Sequence, residues 1–137
     1  MNTQSLALRL EKALEFHANH FEKTKHEDHE LLKLAVKAAK YDYEIRKEAN
    51  PYSMRFEHNF YLRNKIYWNP LEDDGDALRL AVKLEMDIEI TKDQLNDKWV
   101  WVYLGRHALT ESCGNDPYAA TRRAIVRAAA EIGRGNT

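Results

Sequence analysis

The chain has 137 residues, 44% hydrophobic and 31% charged, with 21 Lys and Arg against 22 Asp and Glu. This length and balance suit one globular domain, and they exclude wholesale disorder, low-complexity repetition and the global basicity of a protein that coats nucleic acid. A single cysteine, Cys113, excludes an internal disulfide and a cysteine-based zinc site; no apolar run is long enough to cross a bilayer, and Arg9, Glu11 and Lys12 interrupt the first apolar stretch, which predicts a cytoplasmic protein.

From the N-terminus, Leu6, Leu10, Ala13, Leu14, His17 and Phe21 recur at helical spacing, as do Leu31, Leu34, Ala35, Ala38 and Ala39. Two helices are predicted, or one long bent helix. Thr24-Lys25-His26-Glu27 has the form of a capping box that would begin the second. At Tyr41 the period changes to two. Tyr41, Tyr43 and Ile45 alternate with Asp42, Glu44 and Arg46 ahead of the turn-forming Asn50-Pro51. Met54, Phe56, His58, Phe60 and Leu62 then alternate as a second, antiparallel strand, and Lys65 to Trp68 form a short third one stopped by Pro70.

The acidic stretch Leu71 to Asp76 reads as a loop that feeds the positive end of a helix with the stripe Leu78, Ala81, Val82 and Met86. Strands follow at Met86 to Ile90 and at Lys98 to Leu104. In the latter, Trp99, Trp101 and Tyr103 share one face and Val100, Val102 and Leu104 the other, which predicts a central strand with both faces covered. The last helix has Asn115 or Asp116 as N-cap, Pro117 at its first position, the stripe Tyr118, Thr121, Ile125, Ala128 and Ile132, and Gly133 as its stop. The predicted fold is α+β: one mostly antiparallel sheet with helices on both faces, an αβα sandwich over residues 26–137, preceded by a helical N-terminal extension over residues 1–25.

Three segments carry a resemblance: Glu30 to Ala39 (ELLKLAVKAA), Trp68 to Leu84 (WNPLEDDGDALRLAVKL) and Asp116 to Arg134 (DPYAATRRAIVRAAAEIGR). Together they resemble small uncharacterised proteins of tailed phages and prophages, similar in layout to the phage ABA sandwich domain, over about residues 28 to 134. The resemblance implies the sandwich fold and a viral origin. It brings no catalytic residues with it, and the helical segment before His26 departs from the usual layout.

The strongest charge asymmetry lies between Pro70 and Asp97, where nine carboxylates face only Arg79, Lys83 and Lys92. Glu72, Asp73, Asp74, Asp76, Asp93 and Asp97 are candidates for an acidic surface that binds a basic protein partner or imitates nucleic-acid phosphates; the plainer reading is helix-end acids and solvated surface. Arg122, Arg123, Arg127 and Arg134 on the last helix are the alternative, a local nucleic-acid contact. His17, His20, His26 and His29 have imidazoles at helical spacing, but no HExxH pattern joins two ligands to a base, and no metal or other cofactor is expected.

For catalysis the inventory is thin. P-loop, GxSxG and GxGxxG patterns are missing; His107 and Cys113 are close only in sequence, and His58 and Glu57 fall on opposite faces of their strand. A non-enzymatic phage or prophage accessory protein that binds a host or viral macromolecule is expected, a protein partner being favoured and an inhibitor of a host-defence or DNA-binding protein being one form of it. A small enzyme or metal-binding protein is the third reading. The stripe Leu6, Leu10, Leu14, His17 and Phe21 needs a surface to bury it and is the expected homodimer interface.

Overall fold

The computed structural model describes residues 27–51, 54 and 56–135. The expected dimer stripe Leu6, Leu10, Leu14, His17 and Phe21, together with His20 and His26, lies outside the described residues. The chain divides into two compact units, Met1–Glu30 and Leu31–Thr137, and the second contains all the described strands. The described elements are helix α1 (residues 27–38, of which 31–38 fall in the second unit), β1 (Tyr43–Ala49), β2 (Phe56–Leu62), β3 (Tyr67–Trp68), α2 (Asp74–Lys83), β4 (Asp87–Lys92), β5 (Lys98–Leu104), β6 (His107–Ser112) and α3 (Pro117–Gly135).

The α+β class holds, and all pairings are antiparallel, but the strands form two three-stranded sheets, β1-β2-β3 and β4-β5-β6, where a single sheet was expected. Strand β6 escapes the sequence because His107 to Ser112 alternates only weakly. Its one signal is the two-residue connection Gly105-Arg106 between the paired Leu104 and His107, with Gly105 at φ 59°.

Phe60 and Trp68 of the first sheet, Val100, Val102 and Leu104 of the second, Leu32, Ala35, Val36 and Ala39 of α1 and its end, Ala77, Leu80 and Ala81 of α2, and the small residues of α3 form one core. Helix α2 is turned from the expected stripe. It buries Ala77, Leu80 and Ala81 together with Asp76, while Leu78 and Val82 are exposed, because Asp76 must reach the backbone N–H of Asn69. In α3, Ile125 and Ala128 are buried as expected, but Tyr118 is exposed, and the helix continues through Gly133 to Gly135.

Gly133 is a packing residue: a Cβ built there would lie 2.1 Å from the Leu34 carbonyl oxygen, so α1 and α3 meet backbone to backbone. Both α1 and α2 end in the same way. Tyr41 N donates to Val36 O and Lys40 N to Lys37 O, while Met86 N donates to Ala81 O and Glu85 N to Val82 O, a Schellman pattern in each case. The left-handed residue is Lys40 (φ 58°) in one and Glu85 (φ 56°) in the other, where glycine is the usual choice.

Covering of β5 departs most from expectation. Val100 and Val102 are fully buried under α3, but Trp99 and Trp101 are half-buried and Tyr103 is exposed, because α3 packs on one face of this sheet and no described helix packs on the other. The sequence pattern of two apolar faces is real, and only one of them is sealed.

Substitutions of opposite sign test this packing. Gly133→Ala should destabilise the domain by roughly 1–3 kcal/mol or more through overpacking against Leu34. Lys40→Gly or Glu85→Gly should stabilise it by up to about 1 kcal/mol by relieving the left-handed backbone. Urea unfolding of each variant measures both.

Candidate functional site

The expected acidic surface is assembled mainly from residues that hold the chain in place. Asp73 is the N-cap of α2, its Oδ2 accepting from the backbone N–H of Asp76 at 2.7 Å. Asp76 accepts from Asn69 N at 3.0 Å and from Arg79 at 2.8 Å, and Asp74 pairs with Arg122 at 2.7 Å. Glu72 accepts from the Tyr67 hydroxyl at 3.4 Å, and Asn50 and Asn69 both donate to that oxygen. Partial burial in this cluster pushes the Glu72 carboxyl upward in pKa, and the same cause raises the Tyr67 hydroxyl.

Asp93 closes the β4–β5 turn. Its Oδ1 accepts from the backbone of Leu95 and Asp97 at 2.8 and 3.0 Å, and its Oδ2 accepts from the Trp99 indole N–H at 3.0 Å. Those bonds, the indole first, hold the carboxyl below the usual aspartate range. Asp97 is exposed at the end of the same turn.

The arginines are engaged in a similar way. Arg122 donates to Leu71 O at 2.8 Å as well as to Asp74; Arg127 pairs with Glu111 at 2.7 Å, with Arg123 4.0 Å from the same carboxylate, and Arg134 pairs with Glu131. A phosphate would have to displace these carboxylates, which opposes the nucleic-acid alternative. His29 is half-buried on α1, and no group of three or more metal-ligating side chains occurs among the described residues. His107 and Cys113 bracket β6 from end to end, a span of about 20 Å at strand rise, and Cys113 is buried. They do not form a nucleophile pair.

What the structure assembles instead is an apolar groove. A cavity of ≈ 320 Å³ lies between α2, the first turns of α3 and the inner face of β4, lined mainly by Ala77, Leu78, Ile88, Ile90, Tyr118 and Ile125, with the Asp74–Arg122 ion pair at its border. Ile88 and Ile90 pair with Val102 and Val100 and point to the core side of the sheet, yet α3 packs over β5 and β6 and leaves them open. Ile90 is 59% exposed, Leu78 62% and Tyr118 71%. Beside them, β4 is an edge strand, hydrogen-bonded to β5 alone among the described strands.

Sequence reasoning missed this groove because it placed Leu78 and Val82 in the core and Tyr118 on a buried stripe. The available signal was that α2 has two apolar faces, Ala77-Leu80-Ala81 and Leu78-Val82, and one helix cannot bury both against one core. Comparison with known protein families, curated proteins and solved structures finds no match to this chain. What the fold and groove define is an α+β domain with an open strand edge beside an apolar cleft. No described helix is long and apolar enough to cross a membrane.

The Asp93 bonds set a pH dependence. Because its pKa is lower folded than unfolded, its stabilising contribution is present above the ordinary aspartate value of about 4 and is lost as pH falls through the lowered folded value. Thermal melts of wild type and Asp93→Asn should therefore differ at neutral pH and converge in acid, with the Trp99 emission following the same course.

Proposed function

We propose that this chain is a binding module with no chemistry of its own, which takes an extended segment of a protein partner onto the free edge of β4. Edge strands present unpaired backbone donors and acceptors, and strand addition at such an edge gives affinity through the main chain while alternate side chains give specificity. A segment lying beside β4 places its inward side chains in the groove between Ile88, Ile90 and Leu78. The uncovered pair Ile88 and Ile90 is the observation that carries this reading, since an apolar cleft adjoining an open edge is where such a segment buries most surface.

The resemblance to tailed-phage proteins makes the partner a phage or host protein and the bacterial cytoplasm the setting. Association of two copies through Leu6, Leu10, Leu14, His17 and Phe21 belongs to the same proposal; sedimentation of the intact chain beside one lacking residues 1–25 decides it, a dimer that becomes monomeric on truncation being expected.

Panning a random peptide library on the full chain and on Ile90→Lys tests the groove. Peptides with alternating apolar residues should be enriched on wild type, shift the backbone amide resonances of Ile88 and Ile90, and be lost on Ile90→Lys while its melting temperature stays near that of wild type. Peptides retained equally by both proteins would remove the groove from the function.

A further inference from the structure

The second sheet turns its other face outward. The central row of that face is Trp99, Trp101 and Tyr103; the register sets Thr91, Glu89 and Asp87 beside them on β4, and Ser112, Thr110 and Ala108 on β6. Asp87, Glu89, Ala108, Thr110 and Ser112 are all exposed, so both flanks of the aromatic row are open. The rings of Trp101 and Tyr103 stand parallel within 10°, with centroids 6.4 Å apart.

Two kinds of group on this face are unused. Elsewhere in the domain aromatic rings already hold a cation, Arg46 lying 4.3 Å from the Tyr61 centroid and Lys83 4.5 Å from that of Tyr41. Trp101 and Tyr103 hold none among the described residues. In the same way Asp74, Asp76 and Glu111 each hold an arginine, whereas Asp87 and Glu89 form no ion pair among the described residues.

The pairing of these groups defines what they would bind. Glu89 lies directly across from Trp101, and Asp87 directly across from Tyr103; cross-strand side chains at such positions start roughly 5 Å apart. A ring face and a carboxylate side by side attract the same kind of group, a guanidinium or ammonium. The two ring–carboxylate pairs are two residues apart on β5, about 6.8 Å, which is also the repeat of alternate side chains in an extended peptide.

We propose that the outward face of the second sheet docks an extended, basic segment of a partner protein that carries Arg or Lys at alternate positions, one cation over Trp101 with Glu89 and the next over Tyr103 with Asp87. None of the nine outward positions of the three strands is Lys or Arg. A nucleic-acid backbone laid on these rings would meet two carboxylates and no compensating base, and a neutral oligosaccharide would use the rings and leave both charges idle. This face lies on the opposite side of the sheet from Ile88 and Ile90, so its occupancy does not depend on the groove.

The full chain titrated with a synthetic eight-residue peptide of alternating Arg and Thr provides the test, read by Trp emission and by backbone amide resonances. Saturable binding should shift resonances within 87–91, 99–103 and 108–112, weaken as salt is raised, and be absent for the Glu-for-Arg peptide. The isosteric double variant Asp87→Asn, Glu89→Gln should fold as wild type and bind about tenfold more weakly or worse, while Ile90→Lys should bind as wild type. The proposal is overturned if wild type does not bind the Arg peptide, if the double variant binds it equally, if Ile90→Lys abolishes binding, or if a neutral oligosaccharide or oligothymidylate binds the same residues in preference.

Discussion

How closely α3 approaches its neighbours governs the arrangement of everything around it. Its buried surface is made of Ala124, Ala128, Ala129, Ala130 and Gly133 with only Ile125 and Val126 as larger side chains. Small residues let the helix axis come down onto Val100 and Val102, and at Gly133 they let its backbone touch the Leu34 carbonyl of α1. A larger residue at that crossing would lift α3 from α1 and open the core that both sheets share. The same narrowness limits what α3 can cover. A helix is about 10 Å across and strands are about 4.8 Å apart, so one helix seals roughly two strands. It seals β5 and β6, and β4 is left with its inner side chains uncovered.

Both candidate surfaces follow from that geometry. The second sheet has three strands, one helix on its inner face and no described helix on its outer face. The inner face therefore ends in a cleft at β4, and the outer face presents its central row of aromatics. Strand β4 takes part in both: Ile88 and Ile90 point to the cleft, and Asp87 and Glu89 to the aromatic row. A six-residue strand with alternating isoleucine and acid thus contributes to both proposed surfaces.

The charges fall into two groups by position. Acids at element ends are consumed by the fold: Asp73 caps α2, Asp76 anchors Asn69, and Asp93 fastens the β4–β5 turn to the Trp99 indole. The arginines of α3 are consumed in turn by carboxylates from the α2 N-terminus and from β6. Local clusters of charge along the sequence therefore do not map to free charge on the surface. Asp87 and Glu89, which form no ion pair among the described residues, stand on β4, where no helix N-terminus uses them.

The sequence by itself determined the element types and most of their ends. Period-two alternation marks β2, β4 and β5, Asp116-Pro117 opens α3, and the acid-rich turn at Asp73 opens α2, because these signals are local consequences of backbone geometry and capping. The apolar character of both faces of β5 was legible too. Only the tertiary structure decided which apolar surfaces are sealed. Leu78, Val82 and Tyr118 fit a helical stripe as well as their buried neighbours do, and Trp99 and Trp101 fit a covered strand as well as Val100 and Val102 do. Burial is a property of what lies opposite, and the width of α3, the backbone contact at Gly133 and the division of six strands into two sheets are all set by contacts between residues far apart in the chain.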